Sequence, residues 1–295
     1  MKNSSRPCIF GEVLYDHFPD GSRVLGGAPF NVAWHLQAFG LAPRFISRVG
    51  DDAEGRQIRA AMQSFGMETD ALQTDPDLPT GLVSVELQDN EPSYDIVYPA
   101  AYDAIGSCHA GDGCGLLYHG SLATRGSTSR QALRELIDAE ARMVFLDVNL
   151  RPPWWQLEQI LDLLKSADWL KVNDDELRAL HPACQSVDDD VAQLIDSYDL
   201  QGVVVTHGAA GASMYTREGK SGTVRPGGGN AVVDTVGAGD AFSSVLILGL
   251  IRQWPSALIL QRAQAFASRI VANRGALMTD ISSYQPFVDD WKLAN

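Results

Sequence analysis

The chain has few basic residues and few cysteines. It carries 23 Lys and Arg residues against 37 Asp and Glu, which gives a formal net charge of -14. This acidic balance argues against nucleic acid as a partner and against an anionic membrane surface, because like charges repel. The four cysteines include no Cys-x-x-Cys pair. We therefore expect a reducing compartment.

Long apolar runs are also missing. The start of the chain lacks the apolar core of a signal peptide, and the run at residues 245–251 is much shorter than the ~20 residues that span a membrane. We therefore expect a soluble, cytoplasmic protein with no membrane partner. A length of 295 residues with 45% hydrophobic content allows one large α/β domain with an accessory element, or two domains.

The most informative stretch is Val-Val-Asp-Thr-Val-Gly-Ala-Gly-Asp-Ala-Phe at residues 232–242. The two valines predict the end of a strand, and the glycine-containing run predicts a tight turn. A helix is then expected over residues 241–250, with its N-terminus at 237–240. Such a helix start has unpaired N–H groups and the positive end of the helix dipole, so it suits a transferring phosphoryl group.

Asp240 lies in this turn and is a carboxylate at neutral pH, so it is able to accept the proton of an attacking hydroxyl. The simpler interpretation is a glycine turn in which Asp240 is an ordinary helix-start carboxylate. The residues of this one turn leave the two interpretations about equal.

The whole string Asp-Thr-Val-Gly-Ala-Gly-Asp-Ala-Phe resembles the C-terminal signature of the ribokinase-like sugar kinases, also called the phosphofructokinase-B family. The resemblance implies that Asp240 is the general base. It also implies that Gly237, Ala238 and Gly239 form the turn that receives the phosphoryl group.

The N-terminal region contributes candidate sugar contacts. Residues 8–16 predict one buried strand that ends at Asp16, where a parallel sheet binds ligands, although a plain turn aspartate fits that position too. The following Gly-Gly-Ala-Pro-x-Asn-x-Ala resembles the N-terminal motif of the same family, especially of its fructokinase branch. By this resemblance Gly26, Gly27 and Asn31 join Asp16 as sugar contacts. Ribokinases usually have a lysine at the position of Ala28, which argues against ribose.

Two further segments extend the resemblance. Asp-Val-Asn-Leu-Arg-Pro-Pro-Trp-Trp at residues 147–155 resembles a segment of fructokinases and 2-keto-3-deoxygluconate kinases and makes Arg151 a substrate contact. An arginine that bridges loops is the structural alternative. The segment at 173–176 matches the family's Asn-x-x-Glu motif, and implies that Asn173 and Glu176 organise Mg²⁺-bound ATP through water. Without the resemblance, it is an acidic helix start.

The remaining nucleotide contacts come from the resemblance alone. Thr206 and Gly208 follow a buried strand and are expected to line the phosphates or ribose of ATP. Asn273 falls in the region of the adenine pocket. A monovalent cation, potassium, is expected near Asp234 and residues 273–275, because many relatives hold one there. The segment 277–283 departs from the usual family pattern.

Strands and helices alternate along the chain, and this predicts a single domain with a doubly wound, three-layer α/β core over residues 1–295. A hairpin is expected within residues 80–98. By resemblance, residues 80–99 join residues 14–29 in a small β lid over the sugar, which also makes a homodimer through the lid plausible.

The resemblance covers nearly the whole chain and predicts an ATP-dependent carbohydrate kinase, with fructose as the expected substrate. Kinases of 2-keto-3-deoxygluconate or of nucleosides remain alternatives, as does a sugar-binding regulator without activity. The presence of Asp240 argues against the regulator. A dinucleotide oxidoreductase does not fit, because the turn lacks the Gly-x-Gly-x-x-Gly spacing and its downstream acid.

Overall fold

The computed structural model describes residues 6–88, 91–108, 113–181, 186–227 and 233–293. Within these ranges the chain forms thirteen strands and nine α-helices. The strands are β1 (Pro7–Phe10), β2 (Leu14–His17), β3 (Arg23–Gly26), β4 (Arg44–Gly50), β5 (Leu72–Asp75), β6 (Gly81–Gln88), β7 (Glu91–Ile96), β8 (Leu116–His119), β9 (Val144–Asp147), β10 (Trp169–Asn173), β11 (Gly202–Thr206), β12 (Ala212–Thr216) and β13 (Gly219–Val224). The helices are α1 (Ala28–Ala38), α2 (Ala53–Ser64), α3 (Ser127–Glu140), α4 (Leu157–Leu164), α5 (Asp174–Leu180), α6 (Val187–Tyr198), α7 (Ala238–Ile251), α8 (Ser256–Ile270) and α9 (Gln285–Asp290).

The larger sheet has nine strands in the order β13-β12-β11-β10-β9-β8-β1-β4-β5. Seven neighbouring strands of this sheet are parallel, namely β11, β10, β9, β8, β1, β4 and β5, and β12 and β13 add an antiparallel edge. Parallel neighbours require crossover connections, and helices provide most of them here. The sequence alternates apolar, strand-like segments with segments of helical periodicity, and this alternation predicts a parallel sheet correctly.

Helices cover both faces of this sheet. Ile9 of β1 packs into a core with residues of α1, α2, α7 and α8. Its neighbours Cys8 and Phe10 point to the other face, into a core with residues of α3, α4, α5 and α6. Side chains alternate between faces along a strand, so a strand buried on both sides is apolar throughout. The predicted doubly wound, three-layer α/β fold is confirmed.

A second sheet has four strands in the order β3-β2-β6-β7. β2 pairs parallel to β6, whereas β6 and β7 form the predicted antiparallel hairpin. The strands come from two distant segments, residues 14–26 and 81–96, as expected. Residues 89 and 90, which belong to the predicted hairpin turn, lie outside the described residues.

The prediction of a single strand over residues 8–16 is wrong. β1 ends at Phe10, and Asp16 lies in β2 of the small sheet, where it pairs with Val24 and Val83. An apolar run shows that a segment is buried, but it does not show which sheet the segment joins.

The predicted strand before the glycine turn at residues 237–239 is also wrong at Val233, and Val232 lies outside the described residues. Val233 is 62% exposed and belongs to no strand. Its N–H group and that of Asp234 both donate to the carbonyl oxygen of Val271, just beyond α8. The N–H groups of Val233 and Asp234 therefore bond to the end of a helix and not to a neighbouring strand.

Candidate active site

The predicted glycine turn starts α7. Gly237 caps the helix with a left-handed φ of 78°, and α7 runs from Ala238 with Asp240 in its first turn. A Cβ atom at Gly237 would lie 2.3 Å from Cβ of Ala276 and 2.6 Å from its Cα. Both the backbone angle and the close approach therefore require glycine. The N–H group of Ala238 donates to the carbonyl oxygen of Thr235 at 3.3 Å. The N–H groups of Gly239 and Asp240, also in the first turn of α7, have no partner within the helix, which leaves them available to an anion.

Asp234 ties this turn to the loop after α8. Its Oδ1 atom accepts from the N–H of Val236 at 3.0 Å, and its Oδ2 atom accepts from the N–H of Gly275 at 3.0 Å. The resemblance predicts a monovalent cation near Asp234 and residues 273–275, and the structure brings Asp234 and Gly275 together. The cation itself stays a prediction.

Asp240 is held by a residue from the N-terminal region. The amide Nδ2 of Asn31, in the first turn of α1, donates to Oδ2 of Asp240 at 2.7 Å. The other amide atom, Oδ1 of Asn31, is buried without a hydrogen-bond partner. An unpaired buried acceptor is costly, so a ligand hydroxyl at this point would be stabilising.

The remaining sugar candidates from the N-terminal region surround the same point. A Cβ atom built on Gly26 would lie 3.6 Å from Oδ2 of Asp16 and 4.0 Å from Oδ1 of Asn31. Gly27 caps α1 with a φ of 109°, and a Cβ there would lie 2.7 Å from the carbonyl oxygen of Glu12. Gly26 thus keeps a side chain away from the carboxylate of Asp16 and the amide oxygen of Asn31, whereas Gly27 allows the backbone at Glu12 to pack closely against the start of α1.

Two carboxylates of the candidate site, those of Asp240 and Asp16, have raised pKa values. Burial raises the pKa of Asp240 to about 6, although the hydrogen bond from Asn31 opposes the shift. Burial likewise raises the pKa of Asp16 to about 6, against the charge of Arg151. Arg151 is exposed in the loop after β9, and its charge also lowers the pKa of Asp240. A carboxylate with a pKa near 6 is ionised at neutral pH and is a better proton acceptor than an ordinary aspartate.

Sequence reasoning missed Glu12. This side chain lies between β1 and β2, is 3% exposed and has an Oε2 atom without a hydrogen-bond partner. Burial raises its pKa to about 7, and the charges of Arg151 and Asp240 act on it. The available signal was a carboxylate just after an apolar strand. The sequence analysis predicted instead that the strand continues past Glu12 to Asp16.

Sequence reasoning also missed Lys171. Its Nζ atom forms a buried ion pair of 2.9 Å with Asp147. The available signal was a lysine flanked by apolar residues inside a strand, at positions 169–172. A lysine buried in this way requires a charged partner.

Asn173 and Glu176 form a reciprocal cap at the start of α5. Oδ1 of Asn173 accepts from the N–H groups of Asp175 and Glu176, and Oε2 of Glu176 accepts from the N–H of Asn173. Oε1 of Glu176 accepts from the N–H of Leu150 at 2.9 Å. Asn173 and Glu176 therefore form a helix start, as the structural alternative predicted. Each carboxylate oxygen retains a lone pair, so a water ligand of a metal still has an acceptor there.

The other nucleotide candidates fall into two groups. Thr206 ends β11 opposite Asn173, and Gly208 follows with a φ of 54°. Asn273 lies apart from them in sequence, near Gly275, and its Nδ2 atom donates to the carbonyl oxygen of Arg269 at 2.6 Å. Nucleotide contact by these residues stays a prediction.

The described residues hold no preformed metal cage. Among them, no three His, Cys, Asp or Glu side chains are grouped to hold an ion by themselves. Magnesium prefers to keep several waters and to share phosphate oxygens, so a single carboxylate such as Glu176 suffices as a protein anchor.

A doubly wound α/β sheet with a helix start that is able to hold an anion is typical of proteins that bind phosphate-containing ligands. Comparison with known proteins gives the family. Residues 8–281 match the family described as pfkB family carbohydrate kinase. The chain therefore belongs to the pfkB family of carbohydrate kinases. The prediction of a carbohydrate kinase is confirmed.

Several relatives are named fructokinase. A fructokinase from Escherichia coli is 30% identical over 265 residues, covering 84% of this chain and 85% of the relative. A solved double mutant of a Vibrio cholerae O395 fructokinase, described as bound to fructose, ADP and potassium ion, is 26% identical with a TM-score of 0.77. It covers 95% of this chain and 96% of that chain.

A kinase of another substrate class is also similar. The solved aminoimidazole riboside kinase from Salmonella enterica, described as complexed with aminoimidazole riboside and an ATP analog, is 27% identical with a TM-score of 0.78. It covers 96% of this chain and 99% of that chain. Among the described residues, no helix is long and apolar enough to cross a membrane. The compartment stays a prediction.

Proposed function

We propose that this protein transfers the γ-phosphoryl group of ATP to a sugar hydroxyl, converting fructose to fructose 6-phosphate, with Asp240 as general base. The observation that carries the proposal is the bond from Asn31 to Asp240, because the other amide atom of Asn31 lies beside Gly26 while Asp240 lies in the helix start at Gly237. A hydroxyl held by Asn31 and Asp16 would then lie next to both the base and the anion site.

Each part of the site has a separate task in this reaction. Asp16 and the free Oδ1 of Asn31 accept hydrogen bonds from sugar hydroxyls. Asp240 takes the proton of the attacking hydroxyl, and the N–H groups of residues 237–240 stabilise the charge on the transferring group. Arg151 offers positive charge to substrate or phosphate oxygens.

Magnesium would accompany ATP and neutralise phosphate charge. Glu176 would hold it through water, because each of its oxygens accepts one backbone hydrogen bond and retains acceptor capacity. Thr206, Gly208 and Asn273 are the proposed nucleotide contacts. Potassium would lie at Asp234 and Gly275, where the carboxylate already joins the two loops.

Fructose is favoured over other sugars by two features. The segment Gly-Gly-Ala-Pro-x-Asn is typical of fructokinases, and several relatives carry that name. The similar riboside kinase keeps a nucleoside substrate as the second candidate. Kinases of 2-keto-3-deoxygluconate and a non-catalytic regulator are further outcomes of the test.

We also propose that the chain is one domain and that the four-stranded sheet is a discontinuous lid over the sugar. Asp16 supports this role, because it lies in β2 and borders the space at Gly26. Closure would exclude water, so that the phosphoryl group passes to sugar. The lid is also the proposed surface for a homodimer.

The decisive experiment is a coupled assay of ADP release with Mg-ATP over fructose, other hexoses, ribose, 2-keto-3-deoxygluconate and nucleosides. The proposal requires the highest kcat/KM for fructose. A higher kcat/KM for another compound would make that compound the substrate in place of fructose, and sugar binding without turnover indicates a regulator.

Repeating the assay in potassium, sodium and a large organic cation at fixed ionic strength tests the cation site, because equal rates would exclude it.

A further inference from the structure

A buried ion pair lies close to the turn at residues 237–239, which is proposed to receive the phosphoryl group. Nζ of Lys171 in β10 is 3.0 Å from Oδ1 and 2.9 Å from Oδ2 of Asp147 at the end of β9. Lys171 is 7% exposed and Asp147 is 2% exposed. Burial alone would lower the pKa of Lys171, but the Asp147 carboxylate raises it above its usual value. The lysine therefore carries its charge inside the protein.

The pair is connected to the first turn of α7. The hydroxyl of Ser243 lies 2.7 Å from Oδ2 of Asp147 and 2.9 Å from the carbonyl oxygen of Gly239. Tyr118 of β8 donates to the same Oδ2 atom at 3.2 Å. A Cβ atom at Gly239 would lie 3.6 Å from Nζ of Lys171. The ammonium group is therefore close to the backbone that is proposed to receive the phosphoryl group.

Asp240 is surrounded by groups from several elements. Asn31 of α1 donates a hydrogen bond to it. The titratable groups that interact electrostatically with Asp240 are, by element, Glu12 after β1, Tyr118 of β8, Asp147 of β9, Arg151 in the loop after β9 and Lys171 of β10. Asp147 raises the pKa of Asp240, whereas Lys171 lowers it. The two members of the pair thus act on Asp240 with opposite signs.

We propose that the pair formed by Lys171 and Asp147 is a positioning unit for the transfer step: through Ser243 it holds the first turn of α7, and its two opposite charges act on the carboxylate of Asp240. Lys171 and Asp147 touch neither substrate in this scheme. The proposal rests on the proposed function, because it assigns its effect to the proposed base.

Single substitutions separate the two charges. Lys171→Met removes the cation, so ionised Asp240 becomes less stable and its titration midpoint rises. Asp147→Asn removes the anion and leaves the cation, so the midpoint falls. Each shift should be about half a pH unit or more, since the groups are neighbours in a poorly solvated region. A role in stability alone would not give shifts of opposite direction.

The readout is the carboxyl ¹³C shift of Asp240 against pH, in ligand-free protein labelled at aspartate carboxyl carbons. The Asp240→Asn variant identifies the resonance. We expect a higher midpoint in Lys171→Met than in Asp147→Asn, and the same order in the pH profile of kcat. Equal midpoints or the reverse order would overturn the proposal. Because this signal needs no turnover, it fails or succeeds independently of the proposed sugar kinase activity.

Two controls accompany these variants. Lys165→Met removes a lysine that is 68% exposed in its side chain and should leave the midpoint unchanged. The double variant Lys171→Met/Asp147→Asn leaves no lone buried charge, so it replaces a single variant that does not fold. Its midpoint should lie between those of the single variants.

Ser243→Ala tests the mechanical connection alone. It breaks the connection to Gly239 without changing a charge, so kcat should fall roughly 10-fold while the midpoint and the KM for sugar stay unchanged. A folded Ser243→Ala enzyme with the kcat of the parent would show that the pair does not position the turn. This variant remains decisive even if both charge variants fail to fold.

Discussion

The amide of Asn31 donates a 2.7 Å hydrogen bond to the carboxylate of Asp240, although the two residues are 209 positions apart. The bond joins the first turns of α1 and α7, which pack side by side. It connects the residues proposed to bind sugar to the turn proposed to receive the phosphoryl group. It also opposes the rise in the pKa of Asp240 that burial causes.

The first prediction concerns pH. The pKa of Asp240 is raised to about 6, so the carboxyl becomes protonated and unable to accept a proton as the pH falls through 6. We expect kcat at saturating sugar to fall below pH 6. In Asn31→Leu the bond that favours the ionised form is lost, so this limb should move to higher pH. If the pH at which kcat falls is the same in Asn31→Leu as in the parent, Asn31 does not affect the ionisation of Asp240.

The second prediction tests the base directly. Asp240→Asn keeps the shape of the side chain but cannot accept the proton, so turnover should fall roughly 10²-fold to 10⁴-fold. Binding of sugar and ATP, measured by titration, should be much less affected, because residues 237–239 still hold the phosphoryl charge. The variant must show a normal melting transition. Near-normal turnover in such a protein would reduce Asp240 to a helix-start residue.

The third prediction concerns Gly237. In Gly237→Ala the new methyl group would collide with Ala276, and a φ of 78° is unfavourable for alanine. We expect the turn to move and kcat to fall by about 10²-fold. Gly40→Ala is the matched control, because Gly40 has a φ of 80° but no atom within 4 Å of the added Cβ. It should cost about 1–2 kcal/mol of stability and leave kcat unchanged.

Ala276→Gly supplies a second check on the same contact. Combined with Gly237→Ala, it removes the closest methyl group and should restore part of the lost kcat. If Gly237→Ala alone keeps the parent activity, the close approach of these two loops is not needed for catalysis.

The fourth prediction concerns the buried carboxylate of Glu12. Its pKa is raised by burial to about 7, against a usual value of 4.5, so between these values the folded protein holds a proton that the unfolded chain has released. The stability that this group contributes is therefore present below pH 4.5 and is lost as the pH rises through 7. Removing the charge should stabilise the protein above that pH.

Denaturant unfolding measures this effect. Glu12→Gln should gain about 1–3 kcal/mol at pH 8 and little at pH 5. The exposed Glu68, paired with Arg6 at the surface, provides the control, and Glu68→Gln should change stability by less than about 1 kcal/mol. A Glu12→Gln protein that is no more stable than the parent at pH 8 would contradict an ionised, buried Glu12.

The fifth prediction concerns the small sheet. If it closes over sugar, hydrogen exchange in residues 14–26 and 81–96 should slow when fructose is added, because closure removes these N–H groups from water. β12 and β13, at the far edge of the large sheet, serve as the internal reference. Unchanged exchange in both small-sheet segments, at a saturating fructose concentration, would argue against a lid.

The sequence by itself determined the elements whose signals are local. The helix start at Gly237, the hairpin of β6 and β7 and the cap at Asn173 depend on residues within a few positions of one another. Glycine angles, alternating side chains and capping groups act over that range, so they are visible in the order of residues.

Only the tertiary structure decided which sheet each strand joins and which distant side chains meet. Asp16 belongs to the small sheet, Val233 bonds to the end of a helix, and Lys171 finds Asp147 and Ser243 beneath α7. These contacts form because buried polar groups require partners, and the partners come from segments far apart in the chain. Hydrophobic periodicity shows that a segment is buried but carries no information about the neighbour against which it is buried.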